Sequence, residues 1–204
     1  MPIKHCKICF KLLKSDSLYE IYNDDSCVCE QCQNKLAPHF QKFRIGGVDG
    51  VAIYRYDDNI KSLLYQLKGC CDIELSPIFF NRFKNELKTM YKGYVVVPAP
   101  SYVVEDSNRE FNHVIEIFKF LNLPIYHIVN KITPFKQAEH SKRRRVEIID
   151  HLQVTSLSEI NNKKVLIVDD VMTTGSTLKA MISLLSKGRP KIMKILVMAK
   201  RELK

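Results

Sequence analysis

The sequence predicts an α/β fold, in which a parallel sheet is flanked by helices and preceded by a small cysteine-rich module. Two observations support this prediction. Short apolar runs, typical of buried strands, alternate with stretches whose apolar residues recur at helical spacing. Five of the seven cysteines fall within the first 32 residues. We therefore expect a cysteine module with its connector at 1–47 and an α/β domain at 48–204.

The order of the predicted elements indicates how the sheet is built. Helices separate most of the successive strands, so parallel pairing and burial of both faces of the sheet are expected. Residues 36–47 are expected to form the connector. Strands are predicted at 48–54, 94–97, 125–129, 164–168 and 192–198. Helices are predicted at 60–67, 75–90, 114–121 and 178–185, where apolar residues follow a period of about 3.6.

Composition excludes several classes of protein. The chain has 204 residues, of which 46% are hydrophobic and 26% charged, so it can form a folded core and is not disordered. No apolar run approaches the roughly 18–20 residues of a membrane span. The first residues carry no signal-peptide core, which predicts a cytoplasmic protein. The formal net charge of +10 favours an anionic partner without identifying it.

The N-terminal cysteines have the spacing of a metal site. Cys6 and Cys9 form one Cys-x-x-Cys pair, and Cys29 and Cys32 form a second pair after 19 intervening residues. Each pair can turn both sulfur atoms toward one ion, and two such pairs complete a tetrahedral, structural zinc site. Four thiolates leave no open coordination position, so a catalytic zinc is not expected. Two further residues offer alternative ligands: Cys27 and His5.

The segment 165–178 carries the residues expected to do chemistry. An apolar strand ends in two carboxylates, Asp169 and Asp170, and a turn rich in hydroxyl groups leads into a helix. Ligands of parallel sheets bind at the carboxyl ends of strands, and free N–H groups before a helix suit a phosphate. Carboxylates repel phosphate but accept hydrogen bonds from vicinal hydroxyls, so the pattern predicts a ribose 5-phosphate ligand. The residues expected to hold the phosphate are Thr173, Thr174, Gly175, Ser176 and Thr177.

Three other interpretations share part of this pattern. A nucleotide hydrolase also ends a strand with acidic residues, but the Gly-x4-Gly-Lys-[Ser/Thr] loop that it needs is absent from the sequence. A receiver domain has its acidic pair near the start of the fold, whereas only 34 residues follow Asp170 here. The hydroxyl groups could also serve merely to cap a helix. The full run of residues favours the ribose 5-phosphate interpretation.

These motifs resemble those of known proteins. The segment from Val165 to Leu178 resembles the phosphoribosyl-pyrophosphate (PRPP) binding motif of type I phosphoribosyltransferases. With the paired cysteines ahead of it, nearly the whole chain resembles the ComF family of competence proteins. The resemblance implies a type I phosphoribosyltransferase-like domain behind an N-terminal zinc-binding module.

Shorter stretches extend the resemblance. Val97-Pro98-Ala99-Pro100 resembles the family's Val-Pro-x-Pro element, at which the fold places a pyrophosphate-binding loop, and Leu67-Lys68-Gly69 resembles its Lys-Tyr-x-Gly stretch. Gln137 followed by the arginines at 143–145 resembles the family's Gln…Arg-Arg segment. The stretch 109–113 resembles Arg-Gly-Phe-Asn-Gln, with two departures. Glu110 stands at the glycine, and His113 stands at the glutamine.

The resemblance implies roles for these residues. Asp169 and Asp170 would orient the ribose hydroxyls, directly or through Mg²⁺, and the loop 173–177 would hold the 5-phosphate. Transfer displaces pyrophosphate from the ribose through an oxocarbenium-like state, for which positioning and charge neutralisation matter more than a protein nucleophile. The residues implied to face the pyrophosphate are Lys68, Arg109, Arg145 and the loop residues Pro98, Ala99 and Pro100.

The resemblance also implies a function. The family acts in natural transformation, in the uptake of single-stranded DNA, alongside a helicase-like ATPase partner. We therefore expect a PRPP-binding accessory protein of competence, whose zinc module contacts the partner or DNA. The first alternative is a working phosphoribosyltransferase of nucleotide salvage or synthesis, and the second is a zinc-ribbon nucleic-acid-binding protein. Residues 1–47 carry seven Lys or Arg and five Asp or Glu, so most of the surplus positive charge lies in the α/β domain.

Overall fold

The computed structural model describes residues 4–13, 27–101, 110–131 and 152–202. The strands are β1 (Gln41–Ile45), β2 (Val48–Arg55), β3 (Tyr94–Pro98), β4 (Val129–Lys131), β5 (Leu152–Val154), β6 (Lys164–Met172) and β7 (Ile192–Lys200). The α-helices are α1 (Glu30–Lys35), α2 (Asp58–Gly69), α3 (Lys84–Met90), α4 (His113–Phe118) and α5 (Ser176–Ser186). Short 3₁₀ helices lie at Ile73–Phe79, Asn81–Phe83, Lys119–Leu121 and Leu157–Ile160.

The central sheet has the strand order β1-β2-β7-β6-β3. Strands β2, β7, β6 and β3 run parallel, and β1 joins the edge by antiparallel pairing with β2. The predicted α/β fold is therefore confirmed, and the sheet is parallel except for its edge strand β1. Pro98 at the end of β3 pairs with Val168 in β6. This register brings the loop after β3 next to the acids at the end of β6.

Both faces of the central sheet are covered. On one face, apolar residues of β3, β6 and β7 pack with α2, α4 and the 3₁₀ helix Ile73–Phe79. On the other face, the alternate residues of these strands pack with α5. A strand buried on both faces needs no polar positions, which explains the uninterrupted apolar runs in the sequence. Within the described ranges, no helix combines the length and the apolar character needed to cross a bilayer.

Helix α2 brings one predicted site residue to the carboxyl edge of the sheet. The Asp57 carboxylate accepts a hydrogen bond of 2.9 Å from the N–H of Ile60 and so caps the start of the helix. The helix ends at Gly69, one residue after Lys68, and the Lys68 ammonium contacts Asp170 at the end of β6. The apolar positions that predicted this helix are all buried: Ile60, Leu63, Leu64 and Leu67.

Two predicted elements differ from those observed. Residues 125–129 are not a strand of the central sheet, because Ile125 makes only an isolated bridge to Val96, and β4 begins at Val129 in a separate two-stranded sheet with β5. The predicted helix 75–90 is divided into two 3₁₀ helices followed by α3. Pro77 lies inside the first of these and lacks the N–H group that a continuous α-helix requires.

The predicted connector 36–47 contains an edge strand. β1 pairs with β2 along its whole length, and the chain reverses between them at Gly46 and Gly47, both of which have positive φ. The N-terminal module also reaches the main core: Cys6, Val28 and Leu36 are buried in the same cluster as α2 and α4. The boundary at residue 47 stays a prediction, but residues before it contribute to both the sheet and the core.

Candidate functional site

The loop between β6 and α5 turns tightly at the carboxyl edge of the sheet. Gly175 has a φ of +73°, and a Cβ at this position would lie 2.3 Å from Cδ1 of Ile45 in β1. Both the backbone conformation and the packing of β1 therefore require glycine here. The hydroxyl oxygens of Thr174 and Ser176 lie 2.7 Å apart, and the N–H of Ser176, the first residue of α5, donates a long hydrogen bond of 3.4 Å to the Thr174 hydroxyl. The first N–H groups of α5 are thus placed where a phosphate would suit them.

A cavity of about 280 Å³ lies at this edge of the sheet. It is bounded by the end of β6, the loop after β3, the start of α4 and the end of β4. The predicted site residues that line the cavity are Lys68, Ala99, Pro100, Asp169, Asp170 and Thr177. Three polar residues that were not predicted as site residues also line it: Ser101, His113 and Lys131.

Asp170 is the more deeply buried of the two acids, with 7% of its surface exposed. Its Oδ1 accepts a hydrogen bond of 2.7 Å from the N–H of Val171. Its Oδ2 contacts the Lys68 ammonium and lies 3.4 Å from Nε2 of His113. Asp170 is held by groups from three different elements.

The two acids have opposite pKa shifts. Burial raises the pKa of Asp169, and the negative charge of Asp170 raises it further, to well above the usual range. Burial also acts to raise the pKa of Asp170, but the polar contact with His113 and the charge of Lys68 outweigh it and hold this pKa below the usual range. Asp170 is therefore the ionised member of the pair, and Asp169 is the member that more readily holds a proton.

The loop after β3 is tied to its neighbours on both sides. The N–H of Ala99 donates a hydrogen bond of 2.7 Å to a carbonyl of β6. The Asn112 side-chain amide donates a hydrogen bond of 2.8 Å to the hydroxyl oxygen of Ser101, and its carbonyl oxygen caps α4. These contacts fix the start of α4 against the loop and place His113, its first residue, against Asp170.

His113 is a candidate site residue that sequence reasoning missed. It is only 6% exposed and lines the cavity beside Asp170. The available signal was its position directly after the capping Asn112, at a point where the related motif has glutamine. Both side chains can present a nitrogen to a carboxylate, so histidine can occupy the position of the glutamine.

The remaining predicted residues differ in their surroundings. Lys68 contacts Asp170, so its charge is partly neutralised before any pyrophosphate binds. Thr173 lines a second cavity, of about 580 Å³, on the other side of Asp170. Arg109 and Arg145 lie outside the described residues.

Glu110 adopts the left-handed backbone conformation, with a φ of +63°. We expect Glu110→Gly to raise the free energy of unfolding by about 1 kcal/mol, because residues with a Cβ are strained in this region and glycine is not. Thermal unfolding at neutral pH measures the change. The matched control is Glu110→Ala, which removes the same carboxylate but keeps the Cβ and should bring no comparable gain. Equal gains for both variants would show that charge, not backbone strain, is responsible.

Four cysteines converge in the N-terminal module. The sulfur atoms of Cys6, Cys9, Cys29 and Cys32 all lie within 4.8 Å of one another, and those of Cys9 and Cys29 are 3.7 Å apart. A tetrahedral zinc ion with Zn–S bonds of about 2.3 Å separates its sulfur ligands by roughly 3.8 Å. The cluster therefore fits a single metal ion such as zinc.

The electrostatics of the cluster also favour a bound cation. Burial acts to raise the pKa of Cys6, but hydrogen bonds from the backbone N–H groups of Cys29, Cys9 and Ile8 outweigh it and lower this pKa to about 7. Burial and the neighbouring thiols raise the pKa of Cys32. Four sulfur atoms so close together cannot all ionise unless a cation neutralises them.

The two alternative ligands stand apart from the cluster. In the part of the chain that the structure describes, the group that could hold a metal ion consists of the four paired cysteines and includes neither Cys27 nor His5. Cys27 is half-buried, and burial raises the pKa of its thiol. His5 is exposed and forms an isolated backbone bridge with Leu12.

The fold and the acidic edge of its sheet together define a class of protein. Residues 116–203 match the family model described as "Phosphoribosyl transferase domain". The match includes β6, its two terminal acids, the following loop and α5. The chain therefore carries a phosphoribosyltransferase-like domain, as the sequence motifs predicted.

The chain as a whole is similar to competence proteins. It is 26% identical over 215 aligned residues to the competence protein ComFC of Streptococcus pneumoniae, covering 93% of this chain and 96% of that protein. It is 28% identical over 141 residues to ComFC of Bacillus subtilis, covering 68% of this chain and 58% of that protein. The predicted resemblance to the ComF family is confirmed: the chain is similar to these proteins over most of its length, and it carries a four-cysteine cluster ahead of the segment that matches the phosphoribosyl transferase model.

Similarities to other proteins are shorter or weaker. The bifunctional protein PyrR of Caldicellulosiruptor bescii is 48% identical over 44 residues, which cover 21% of this chain and 24% of that protein. A solved hypoxanthine phosphoribosyltransferase from Staphylococcus aureus aligns with a TM-score of 0.39 at 18% identity, over 65% of this chain and 69% of that chain. A hypoxanthine-guanine phosphoribosyltransferase from Bacillus anthracis aligns with a TM-score of 0.39 at 13% identity, over 65% of this chain and 73% of that chain.

Proposed function

We propose that this protein is a cytoplasmic, PRPP-binding accessory protein of natural competence, which uses a phosphoribosyltransferase fold to support the uptake of single-stranded DNA. The single observation that supports the ligand best is the cavity at the end of β6, because two acids for ribose hydroxyls and the start of a helix for a phosphate line the same space. The competence role is carried over from the ComFC proteins, which the chain resembles over most of its length.

Different residues are suited to different parts of the ligand: the acids to the ribose hydroxyls, and the hydroxyl and N–H groups to the 5-phosphate. Asp169 is half-buried, lines the cavity and makes no ion pair with any described residue, so it accepts hydrogen bonds from the ribose hydroxyls. Asp170 stays ionised between Lys68 and His113 and supplies a fixed negative charge behind the sugar. The loop 173–177 offers hydroxyl and N–H donors to the 5-phosphate.

The carboxylate edge also suits Mg²⁺, which prefers oxygen ligands. Asp169 is the better candidate ligand, because Oδ2 of Asp170 already contacts Lys68 and His113. Bound there, Mg²⁺ would supply positive charge for the pyrophosphate group. Lys131, which lines the cavity, is a further cation for this group. The same role is proposed for two residues outside the described ranges, Arg109 and Arg145.

The N-terminal module is proposed to hold a structural zinc ion and to dock the helicase-like ATPase partner. Phe10 is 74% exposed and Leu12 is 41% exposed, next to the exposed metal ligand Cys9. An apolar surface on a metal-stiffened turn is suited to contact with another protein. Single-stranded DNA is proposed to contact the α/β domain, where most of the surplus positive charge lies.

PRPP with Mg²⁺ is expected to raise the melting temperature of the full chain. At one hundred times Kd, a ligand that binds only the folded state adds about 2.7 kcal/mol to the free energy of unfolding. Asp169→Asn should abolish this shift, because an amide cannot hold Mg²⁺ as a carboxylate does. Asp49→Asn, at the opposite edge of the sheet, makes the same chemical change and should leave the shift intact. Thermal unfolding with and without ligand measures all three proteins.

Two results would count against this proposal. The absence of a shift at millimolar PRPP, with the fold intact by circular dichroism, means that the cavity does not bind this ligand. An unchanged shift in Asp169→Asn means that the acids do not contact PRPP.

The DNA contact has a separate test. A single-stranded oligonucleotide should bind the same samples, and this binding should weaken as the salt concentration increases.

A working phosphoribosyltransferase of nucleotide salvage or synthesis is the second candidate, and one observation favours it: a second cavity adjoins the first and could admit an acceptor. Release of pyrophosphate from PRPP that depends on an added acceptor would favour the enzyme, and binding without release would favour the accessory protein.

The zinc-ribbon alternative has less support, since the N-terminal module packs into the same core as the α/β domain.

A further inference from the structure

A cavity of about 470 Å³ lies at the amino edge of the central sheet, where β2, β3 and β7 begin. β3 ends beside the ribose cavity, so the two cavities lie at opposite ends of the sheet, and no described residue lines both. The volume falls in the range of about 300–1,000 Å³ that is typical of small-molecule sites. The lining of this amino-edge cavity includes Lys42, Phe43, Met90, Tyr91, Tyr94 and Lys194.

Tyr91, which follows α3, brings a buried polar group to this cavity. It is only 4% exposed, yet within the described ranges its hydroxyl group makes no hydrogen bond. Tyr54 is also buried, but its hydroxyl group donates a hydrogen bond of 2.7 Å to the carbonyl of Phe79. Buried polar groups normally have a partner, so an occupant of the cavity is the expected acceptor for Tyr91.

The environment of Tyr91 keeps its hydroxyl group protonated. Burial raises the pKa of Tyr91 to about 12, and the neighbouring Tyr94 contributes to this increase. The two rings meet edge to face, with their centroids 5.7 Å apart. At neutral pH the hydroxyl group is therefore a donor, which favours a ligand with an acceptor oxygen.

Positive charge surrounds the cavity. Lys42 of β1 and Lys194 of β7 line it, and the ammonium group of Lys164 lies 5.7 Å from the centroid of the Tyr94 ring. Asp49, the one acid among the described lining residues, lies 3.0 Å from the Lys194 ammonium and partly neutralises it. Lys42 makes no ion pair within the part of the chain that the structure describes. The surplus of ammonium groups favours an anion.

The rest of the lining is mostly apolar. Met90, at the end of α3, is 61% exposed. The ring of Phe43 crosses Gly50, where a Cβ would lie only 2.4 Å from the ring, so glycine leaves the space that this ring needs. A thioether and an aromatic ring both make favourable contacts with a further aromatic ring.

We propose that the amino-edge cavity binds a small aromatic phosphate, which is a molecule that joins an aromatic ring to a phosphate group. The phosphate contacts Lys42 and Lys194, because ammonium groups bind phosphate as compact point charges, and it accepts a hydrogen bond from Tyr91. The ring packs against Met90 and Phe43. The inference goes beyond the proposed function, since this ligand and the ribose 5-phosphate occupy opposite ends of the sheet.

Three probes separate the ring of the ligand from its charge. Phenyl phosphate has both features, methyl phosphate has the charge without the ring, and benzyl alcohol has the ring without the charge. Titrations of the full chain, followed by ligand-observed NMR, should show that phenyl phosphate binds about tenfold more tightly than either of the other two. If methyl phosphate or benzyl alcohol binds as tightly as phenyl phosphate, the inference is wrong.

Two lysine variants locate the bound phenyl phosphate. Lys42→Gln should weaken its binding by about tenfold, as expected when a charge-assisted contact is lost. The matched control is Lys131→Gln, which makes the same change at the ribose cavity and should leave the binding of phenyl phosphate unchanged. If Lys131→Gln weakens binding as much as Lys42→Gln does, or if neither variant weakens it, the amino-edge site is overturned.

Two tyrosine variants test the hydroxyl group. Tyr91→Phe should weaken the binding of phenyl phosphate by about tenfold without lowering the melting temperature of the free protein, because no hydrogen bond between described residues is lost. Tyr54→Phe should do the opposite, since it removes the donor of the Phe79 carbonyl but lies outside the cavity lining. Unchanged binding in Tyr91→Phe would contradict the proposal.

The outcomes distinguish this inference from the proposed function. A thermal shift with PRPP, without preferential binding of phenyl phosphate, overturns the amino-edge site alone. Preferential binding of phenyl phosphate that requires Lys42, without a PRPP shift, supports the amino-edge site and overturns PRPP as the ligand of the ribose cavity. Loss of both overturns both.

Discussion

Asp170→Asn is expected to lower the melting temperature by about 4–8 °C, which corresponds to about 2 kcal/mol for a chain of this size. The reason lies at Oδ2, which contacts the Lys68 ammonium and lies 3.4 Å from Nε2 of His113. The amide keeps the shape of the side chain but removes its negative charge, so Lys68 loses this partner in a partly buried position. A single isosteric substitution thus tests the arrangement of the acidic edge.

Asp169→Asn is expected to act in the opposite direction and to raise the melting temperature by about 2–4 °C, or about 1 kcal/mol. Burial and the charge of Asp170 raise the pKa of Asp169, so its ionised form costs free energy at neutral pH. An amide removes this cost, and its oxygen can still accept the hydrogen bond of 2.9 Å from the N–H of Asp170. Thermal unfolding at neutral pH compares both variants with Asp49→Asn, an exposed control.

The pH dependence provides a second test of the same pair. The lowered pKa of Asp170 contributes stability that is present above the unfolded-state value of about 3.9 and is lost as the pH falls toward the folded-state pKa. The raised pKa of Asp169 contributes stability that is present below about 3.9 and is lost as the pH rises through the folded-state pKa. At acid pH, the melting temperatures of Asp169→Asn and Asp170→Asn should therefore both approach that of the parent protein. Two variants that shift stability in the same direction at neutral pH would contradict this account.

Disruption of the proposed metal site is the second large effect that we expect. Cys32→Ser should lower the free energy of unfolding by at least about 3 kcal/mol, because a structural metal site contributes directly to folding. The stability of the whole protein should decrease, not only that of the N-terminal module. The reason is that Cys6, Val28 and Leu36 are buried in the same core cluster as α2 and α4. The parent protein, treated with a strong zinc chelator, should behave in the same way.

The measurement is thermal unfolding followed by circular dichroism, together with a colorimetric assay of released zinc. The matched control is Cys70→Ser, since Cys70 is exposed and lies outside the metal cluster. Two separate unfolding transitions in the variant, or indifference of the parent protein to chelator, would contradict a metal site integrated with the core. Deletion of residues 1–46 would not replace this experiment. It also removes β1, which packs against the Gly175 turn.

Features that depend on neighbours in the chain could be predicted from the sequence. The apolar runs at 94–97 and 164–168 predicted β3 and β6, because strands buried on both faces have no polar positions. The spacing of apolar residues over 60–67 predicted α2. The hydroxyl-rich run through Gly175 predicted a strand–turn–helix, since the requirement for a positive φ is local.

Features that depend on a distant partner were missed. β1 has only half-exposed and exposed residues, so its own sequence lacks the pattern of a buried strand, and pairing with β2 makes it part of the sheet. The apolar stretch 125–129 looks like a further strand, but beside β3 it makes only the bridge from Ile125 to Val96. In both segments, the available neighbour decides the structure more than the residues themselves.

By itself the sequence determined the alternation of strands and helices, the position of two acids at the end of a buried strand, and the two Cys-x-x-Cys pairs. Each of these features depends on the spacing of residues that are close together in the chain. Only the tertiary structure decided that Lys68 and His113 meet at Asp170, that the two acids differ in pKa, and that a second cavity opens beside the first. These contacts join residues far apart in the chain, and they follow from how α2 and α4 pack on one face of the sheet, which no local pattern specifies.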